Sequence, residues 1–311
     1  MYGYRIKKRQ DNVPKSSEVF MTYIEEFKNS LQDQRKSSYT TKSYLSDLKQ
    51  FENWLKDTYG EVEFKPTVIT KLDVVHYKSY MLTIKQRKPS GVNRALSSII
   101  SFCDWSRSKG YIQENPAEDI PWAKQVKNPP KSLSELEQNR LLREVYKSGN
   151  KRDIAIVELM VGAGLRIGEV ESLNLLDIQI SDRKGIVTVR EGKGQKYREV
   201  PLNKDIRKAI QEYLEVRLDN QKSLFISQKG GRLTSNAIWK IVKKYGGRVG
   251  LDDLTPHALR HTFGTMLIRK HKVDIVTTAA LMGHENIATT AIYTKPNQQD
   301  MIDAVEKLSK W

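Results

Sequence analysis

Seven residues near the middle of the chain, Val126 to Ser132 (VKNPPKS), hold two prolines and two lysines and show no apolar periodicity. Proline fixes φ and removes a backbone donor, so neither a helix interior nor a central strand runs through such a stretch. The chain is therefore expected to form two bodies, 1–125 and 133–311, joined by a linker over 126–132. Before the linker the spacing is helical from Glu18 to about Lys124, with Tyr44, Leu48, Phe51 and Leu55 at i, i+4, i+7 and i+11. Further helices are expected over 73–84 and 91–109, the second closed by Gly110.

After the linker, SLSELEQNRLLREV offers Ser132 or Ser134 as a cap and acidic residues for a first helical turn. The run 152–163 is apolar on most faces and reads as a buried helix; Gly162 and Gly164 then interrupt the chain before LRIGEVESLNL starts another. There the period changes. GIVTVR and YREVPL are short β-prone runs around Gly192-Lys193-Gly194, which predicts a hairpin with Lys193 near its tip. Helices follow to the C-terminus. The expected fold class is mainly α with a small antiparallel β-sheet (α+β) in the second body.

With 38% hydrophobic residues and no long apolar run, a chain of 311 residues buries one or two ordinary cores and spans no bilayer. No apolar segment follows the basic N-terminus, so the expected location is the cytoplasm, with no membrane partner. The single cysteine, Cys103, excludes an internal disulfide and a cysteine-built metal site and is expected to be a buried thiol. Trp105, Trp122 and Trp239 are expected to pack in the core or between lobes rather than stack on bases. The net charge of +16 points to a polyanion. Up to Lys131 there are 23 basic and 15 acidic residues, and beyond it 30 and 22, which leaves +8 on each side. An even split favours two lobes that both face phosphates, as in a clamp around a duplex.

In LTPHALRHTF, Thr255 is a good N-cap and Pro256 suits the first helical position. His257, Arg260 and His261 then share one face. Two histidines four apart suit zinc, but the glutamate that a zinc hydrolase helix places after the first is missing. An imidazole beside a guanidinium near a helix N-terminus is better suited to a phosphate, and no metal or cofactor is expected. Further on, Gly283 stands where a helix should stop, followed by His284 and, nine residues later, Tyr293.

The motifs GLRIGE, GKG, HALRHTFGTMLI, LMGH and TTAIYT occur in the order and approximate spacing of the tyrosine recombinases, and the chain resembles that family along its whole length, most strongly from Ser132 onward. In the first body, VNRALSSIISFCDWSRSKGYIQENP resembles the end of the family's helical, SAM-like core-binding domain. The resemblance implies a two-lobed, C-shaped DNA clamp with a catalytic domain over 133–311. Carried over by motif, Arg166 and Arg260 match the two arginines, Lys193 the hairpin lysine, His257 the intervening histidine, His284 a histidine-or-tryptophan position, and Tyr293 the nucleophile. Glu169 and His261 fall at accompanying positions that support these groups. Lys196 also lies in the hairpin, so the lysine assignment stays open between the two. Met282 stands where leucine is commoner and Lys295 where many members have histidine; neither is a catalytic position.

The chemistry agrees with these residue types. Phosphoryl transfer places negative charge on equatorial oxygens, which two guanidinium forks and an imidazole stabilise without metal. A tyrosine hydroxyl, with a pKa of about 10, needs a base, for which His257 is the candidate. The resemblance implies that Lys193 protonates the departing 5′-oxygen and that a 3′-phosphotyrosine and a Holliday junction lie on the path. It also implies an inverted-repeat core site on double-stranded DNA, a dimer on each site and a tetramer in the synapse. Because helical spacing begins at Glu18, a separate arm-binding domain is not expected, which suggests a compact Xer-like recombinase, a resolvase or a simple integrase. A type IB topoisomerase-like nicking-closing enzyme is the catalytic alternative, distinguished by acting on any supercoiled DNA; a silent DNA-binding accessory protein is the non-catalytic one. In the tail, Met301, Val305 and Leu308 form a narrow apolar stripe, and the resemblance implies that it docks on a neighbouring protomer.

Overall fold

The computed structural model describes residues 16–34, 36–60, 63–125, 132–190, 197–284, 286–294, 301–302 and 305–306. The chain divides into two compact units, Met1–Lys127 and Asn128–Trp311. Of the anticipated linker, 126–131 lies outside the described residues.

The first unit holds α1 (Ser16–Asp33), α2 (Ser38–Tyr59), α3 (Lys71–Thr83) and α4 (Pro89–Ser108). Ser37 caps α2, Thr70 and Asp73 form a capping box on α3, and Pro89 opens α4. Leu48, Phe51 and Leu55 are buried with Phe27, Leu96, Ile99 and Phe102, while Tyr44 packs on the edge of that core. Cys103 is buried in it too. Three carboxylates are buried here, Asp47, Glu52 and Asp73; Asp47 accepts from Arg94 Nη2 at 2.8 Å and Ser98 Oγ at 3.0 Å, which offsets its desolvation.

The second unit is built around α6 (Lys151–Gly162), whose Ile154 to Val161 are all buried. Around it stand α5 (Glu135–Lys147), α8 (Lys204–Glu215), α9 (Ser235–Arg248) and α10 (Pro256–Thr265). A three-stranded antiparallel sheet, in the order β1-β2-β3, comprises β1 (Ile178–Ile180), β2 (Gly185–Arg190) and β3 (Tyr197–Pro201). Val187 pairs with Val200 and Val189 with Arg198. The expected tip of this hairpin, 191–196, lies outside the described residues and takes Lys193 and Lys196 with it.

Three expectations need correction. The helix after Arg166 is short, α7 (Ile167–Ser172), because Leu173 turns extended and the chain passes through a 3-10 turn into β1, a strand the sequence reading did not include. Beyond α11 (Ile275–Met282) the described residues 286–294 form 3-10 turns, where helices were expected to continue, and helix returns at 301–302 and 305–306. Trp105 is buried as expected, but Trp122 and Trp239 are 53% and 42% exposed, and Lys243 Nζ lies 5.6 Å from the Trp239 ring.

Candidate active site

Four segments of the second unit bring the site together. Arg166 is the N-cap of α7, and Glu169, three residues on, closes a capping box by accepting the Arg166 backbone N–H at 2.7 Å. The same carboxylate accepts Arg166 Nη1 at 2.7 Å. One acidic side chain thus fixes both ends of Arg166.

The second segment is α10. Thr255 accepts the Ala258 N–H and Pro256 takes the first turn, which sets His257, Arg260 and His261 on one face. Arg260 is buried, and its guanidinium donates to Gly164 O at 2.6 Å and to Met282 O. The two bonds leave part of its five-donor fork for another acceptor. His261 is buried between its neighbours, its ring 4.5 Å from that of His257 and 5.1 Å from that of Tyr293.

The third segment is the end of α11. Gly283 adopts φ +63°, a left-handed conformation that closes the helix and that a Cβ would strain. Its carbonyl accepts Arg166 Nη2 at 2.9 Å. His284 follows, its Nδ1 at 2.8 Å from Thr290 Oγ1. Thr290 is itself buried, and its carbonyl accepts the Tyr293 N–H at 3.0 Å, so it ties His284 to the tyrosine. Tyr293 is 5% exposed and packs with Phe263 and Met282.

The fourth segment is β3. Arg198 donates Nη1 and Nη2 to the two oxygens of Glu169 at 3.0 and 2.9 Å, and Nε to Leu281 O at 3.2 Å.

Burial first, and this concentration of positive charge after it, govern titration. Burial, then the charges of Arg260, Arg166 and Arg198, push His284 down to about 4. Burial, then His257 and Arg260, bring His261 to about 4. His257 is lowered by desolvation of its ring and by Arg260 and Arg166, so its imidazole is neutral and able to accept a proton near pH 7. Tyr293 is raised by burial, although Arg260 and Arg166 pull it the other way. Among the described residues no group of three or more His, Cys, Asp or Glu is arranged to hold a metal ion.

Arg166, Glu169, His257, Arg260, His261, His284 and Tyr293 therefore lie in one neighbourhood, whereas Lys193 and Lys196 fall outside the described residues. Sequence reasoning missed Arg198 and Thr290. The first had a visible cue: in YREVPL, strand alternation puts Arg198 on the same side as the apolar Val200. Thr290 had none, because a hydroxyl in a polar turn looks like any other.

Comparison with known proteins places this arrangement. Residues 131–300 match the phage integrase family, and residues 24–110 match the phage integrase N-terminal SAM-like domain. The chain is 34% identical over 288 residues to the tyrosine recombinase XerA of Pyrococcus horikoshii, covering 91% of this chain and 92% of that protein. It is 31% identical over 295 residues to the TnP I resolvase of Bacillus thuringiensis, covering 93% and 100%. A crystal structure of the XerH site-specific recombinase bound to palindromic difH substrate, in its post-cleavage complex, shares the fold with TM-score 0.72 at 20% identity, covering 94% of this chain and 84% of that one.

Proposed function

The chain belongs to the phage integrase family of tyrosine recombinases, and on that premise we propose that it cuts and rejoins DNA at a specific site through a 3′-phosphotyrosine formed on Tyr293. The observation that carries this reading is the convergence of Arg166, Arg260 and His284 on the end of α11, with Met282 packed against the Tyr293 ring.

In this reading the Tyr293 oxygen attacks the phosphorus of the scissile diester as its proton passes to the neutral His257 imidazole. A bond forms between that oxygen and phosphorus, the bond to the 5′-oxygen breaks, and the departing 5′-oxygen takes a proton from Lys193. Arg166 and Arg260 meet the negative charge that builds on the equatorial oxygens, and His284, held by Thr290, hydrogen-bonds one of them. Glu169 and His261 hold the arginine and the imidazole that do this. A 5′-hydroxyl from a second strand reverses the steps and reseals the junction through a Holliday intermediate, with no ATP, metal or other cofactor. The bond energy stays in the phosphotyrosine.

The two units correspond to a core-binding domain and a catalytic domain that both meet double-stranded DNA at an inverted-repeat site, with a dimer on each site and a tetramer in the synapse. The XerH complex, being DNA-bound by its description, supports the DNA partner. Met301, Ile302 and Val305 are 53%, 48% and 65% exposed, which leaves their apolar surface available to a neighbouring protomer; Leu308 lies outside the described residues. Among the described residues no helix is long and apolar enough to cross a membrane; the cytoplasm is the proposed place of work.

The test uses a nicked, end-labelled DNA carrying the protein's own site, identified by sequencing the DNA that stays on the protein through a denaturing wash. The expected products are a free 5′-hydroxyl and a protein-linked 3′ end. Tyr293→Phe should bind the same DNA and yield neither. An adduct from the variant would sink the assignment.

A further inference from the structure

Three consecutive carbonyls at the end of α11 are taken by three different arginines. Leu281 O accepts from Arg198, Met282 O from Arg260 and Gly283 O from Arg166. Two of these arginines belong to the phosphate pocket proposed above. The third has no role in it.

Arg198 stands on β3 opposite Val189, which is buried, and shares its strand face with buried Val200. Its side chain is only 11% exposed. A guanidinium there is unfavourable unless paired, and its partner is Glu169, which it grips with both Nη atoms while Nε holds Leu281 O. Each Glu169 oxygen is therefore shared by two donors: Oε1 by Arg198 and Arg166 Nη1, Oε2 by Arg198 and the Arg166 backbone N–H. Each of the three guanidinium nitrogens of Arg198 donates to an acceptor within the protein. Arg166, by contrast, keeps a 43% exposed side chain.

We propose that Arg198 is a positioning residue for strand cleavage: it holds and neutralises Glu169, and through that carboxylate it aims Arg166 at the scissile phosphate. The inference rests on the recombinase reading above. Two physical effects follow from the shared carboxylate. The fork from β3 and the carbonyl contact fix Glu169 in position as well as in rotation, and a misplacement of about 1 Å in such a site costs on the order of 100-fold in rate. With two arginines on one glutamate, the positive charge of Arg166 is only partly answered within the protein, so the remainder is available to the phosphate. Without Arg198, Glu169 would keep its hydrogen bonds to Arg166 but lose its anchor to β3 and to Leu281 O, so Arg166 would lose its aim at the substrate.

The groups facing Glu169 are Arg166 at the start of its own helix, Arg198 from β3, Arg260 from α10 at 4.0 Å, and His284 after α11. Burial pulls its carboxyl upward, but the hydrogen bonds and charge of Arg198, then the hydrogen bonds of Arg166, hold it below the usual carboxylate range. Taking Arg198 away raises it. The carboxyl then takes up a proton at a higher pH than in the wild type, so the variant should lose activity on the acid side at a higher pH than the wild type does.

The test is single-turnover cleavage of the nicked site by the full chain carrying Arg198→Gln, Arg198→Lys, Glu169→Gln or Arg198→Gln with Glu169→Gln. Wild-type adduct formation is measured beside them, so a failure of the recombinase reading, seen as no adduct from the wild type, is distinct from a failure of this inference. Arg198→Gln should cleave about 10- to 100-fold more slowly, with site affinity within about two-fold of wild type. Arg198→Lys should recover part of the rate, and the double variant should be no slower than the slower single one. The Arg198→Gln rate should also fall at a higher pH than the wild-type rate. If Arg198→Gln loses DNA binding, Arg198→Lys decides: full binding with slowed cleavage supports the role, and a wild-type rate overturns it. Losses that multiply in the double variant, or pH profiles that superimpose, overturn it as well.

Discussion

Tyr293 fills space that only a glycine leaves open. A Cβ on Gly264 would stand 2.8 Å from the Tyr293 Cζ and 2.9 Å from the Met282 Sδ, closer than side-chain carbons approach. Gly264→Ala should therefore displace the ring from its packing on α10 and lower single-turnover cleavage by about ten-fold or more, while DNA binding stays near wild type. A wild-type cleavage rate would show that Tyr293 does not work from this seat. At this scale most of the site was legible in the sequence, since His257, Arg260 and His261 sit at helical spacing behind a Thr-Pro start and a phosphate suits those groups. What the residue types did not display was their support. A Glu–Arg contact across 29 positions, from Glu169 to Arg198, leaves no local pattern, although the inward register of Arg198 on its strand was there to be read.

Elements with a strong period and a cap were readable: α3 and α5 start at capping boxes, and α6 is buried over most of its length because its sequence is apolar on most faces. The short ones were not. A strand of three residues, Ile178–Ile180, has too few positions for alternation to register, and α7 ends after six residues because Leu173 joins the core in an extended conformation. Trp122 and Trp239 misled because a large aromatic ring is counted as core by composition, whereas Lys243 covers part of the Trp239 face in a cation–π contact. The tail is the element whose role depends on a second chain. Deleting 300–311 should leave binding to a half-site nearly intact and weaken cooperative filling of the full site, as read by a gel-shift titration on both. Equal cooperativity in the truncated protein would mean that the tail packs on its own chain.

For the molecule as a whole, the charge excess lies on both sides of Lys131 at +8 each, so both units are expected to contribute phosphate contacts. Site affinity should then fall steeply with salt, with a log–log slope on the order of −5 or steeper, because each neutralised phosphate releases roughly one counterion. A nearly flat plot would confine DNA contact to the site residues. The division into two units was legible from one proline-bearing stretch and the charge from a count, but the pocket depends on four segments meeting at the end of α11, and no single stretch of sequence contains that meeting.

The central claim is that Tyr293 carries the DNA strand. It is tested most directly by trapping the covalent complex on a nicked site, digesting the DNA with nuclease and the protein with trypsin, and sequencing the modified peptide by mass spectrometry. The account predicts a nucleotide-3′-phosphate remnant on the peptide that begins at Val273, fragmenting to Tyr293. A remnant on any other residue, or a cleaved strand with no protein attached, would contradict it.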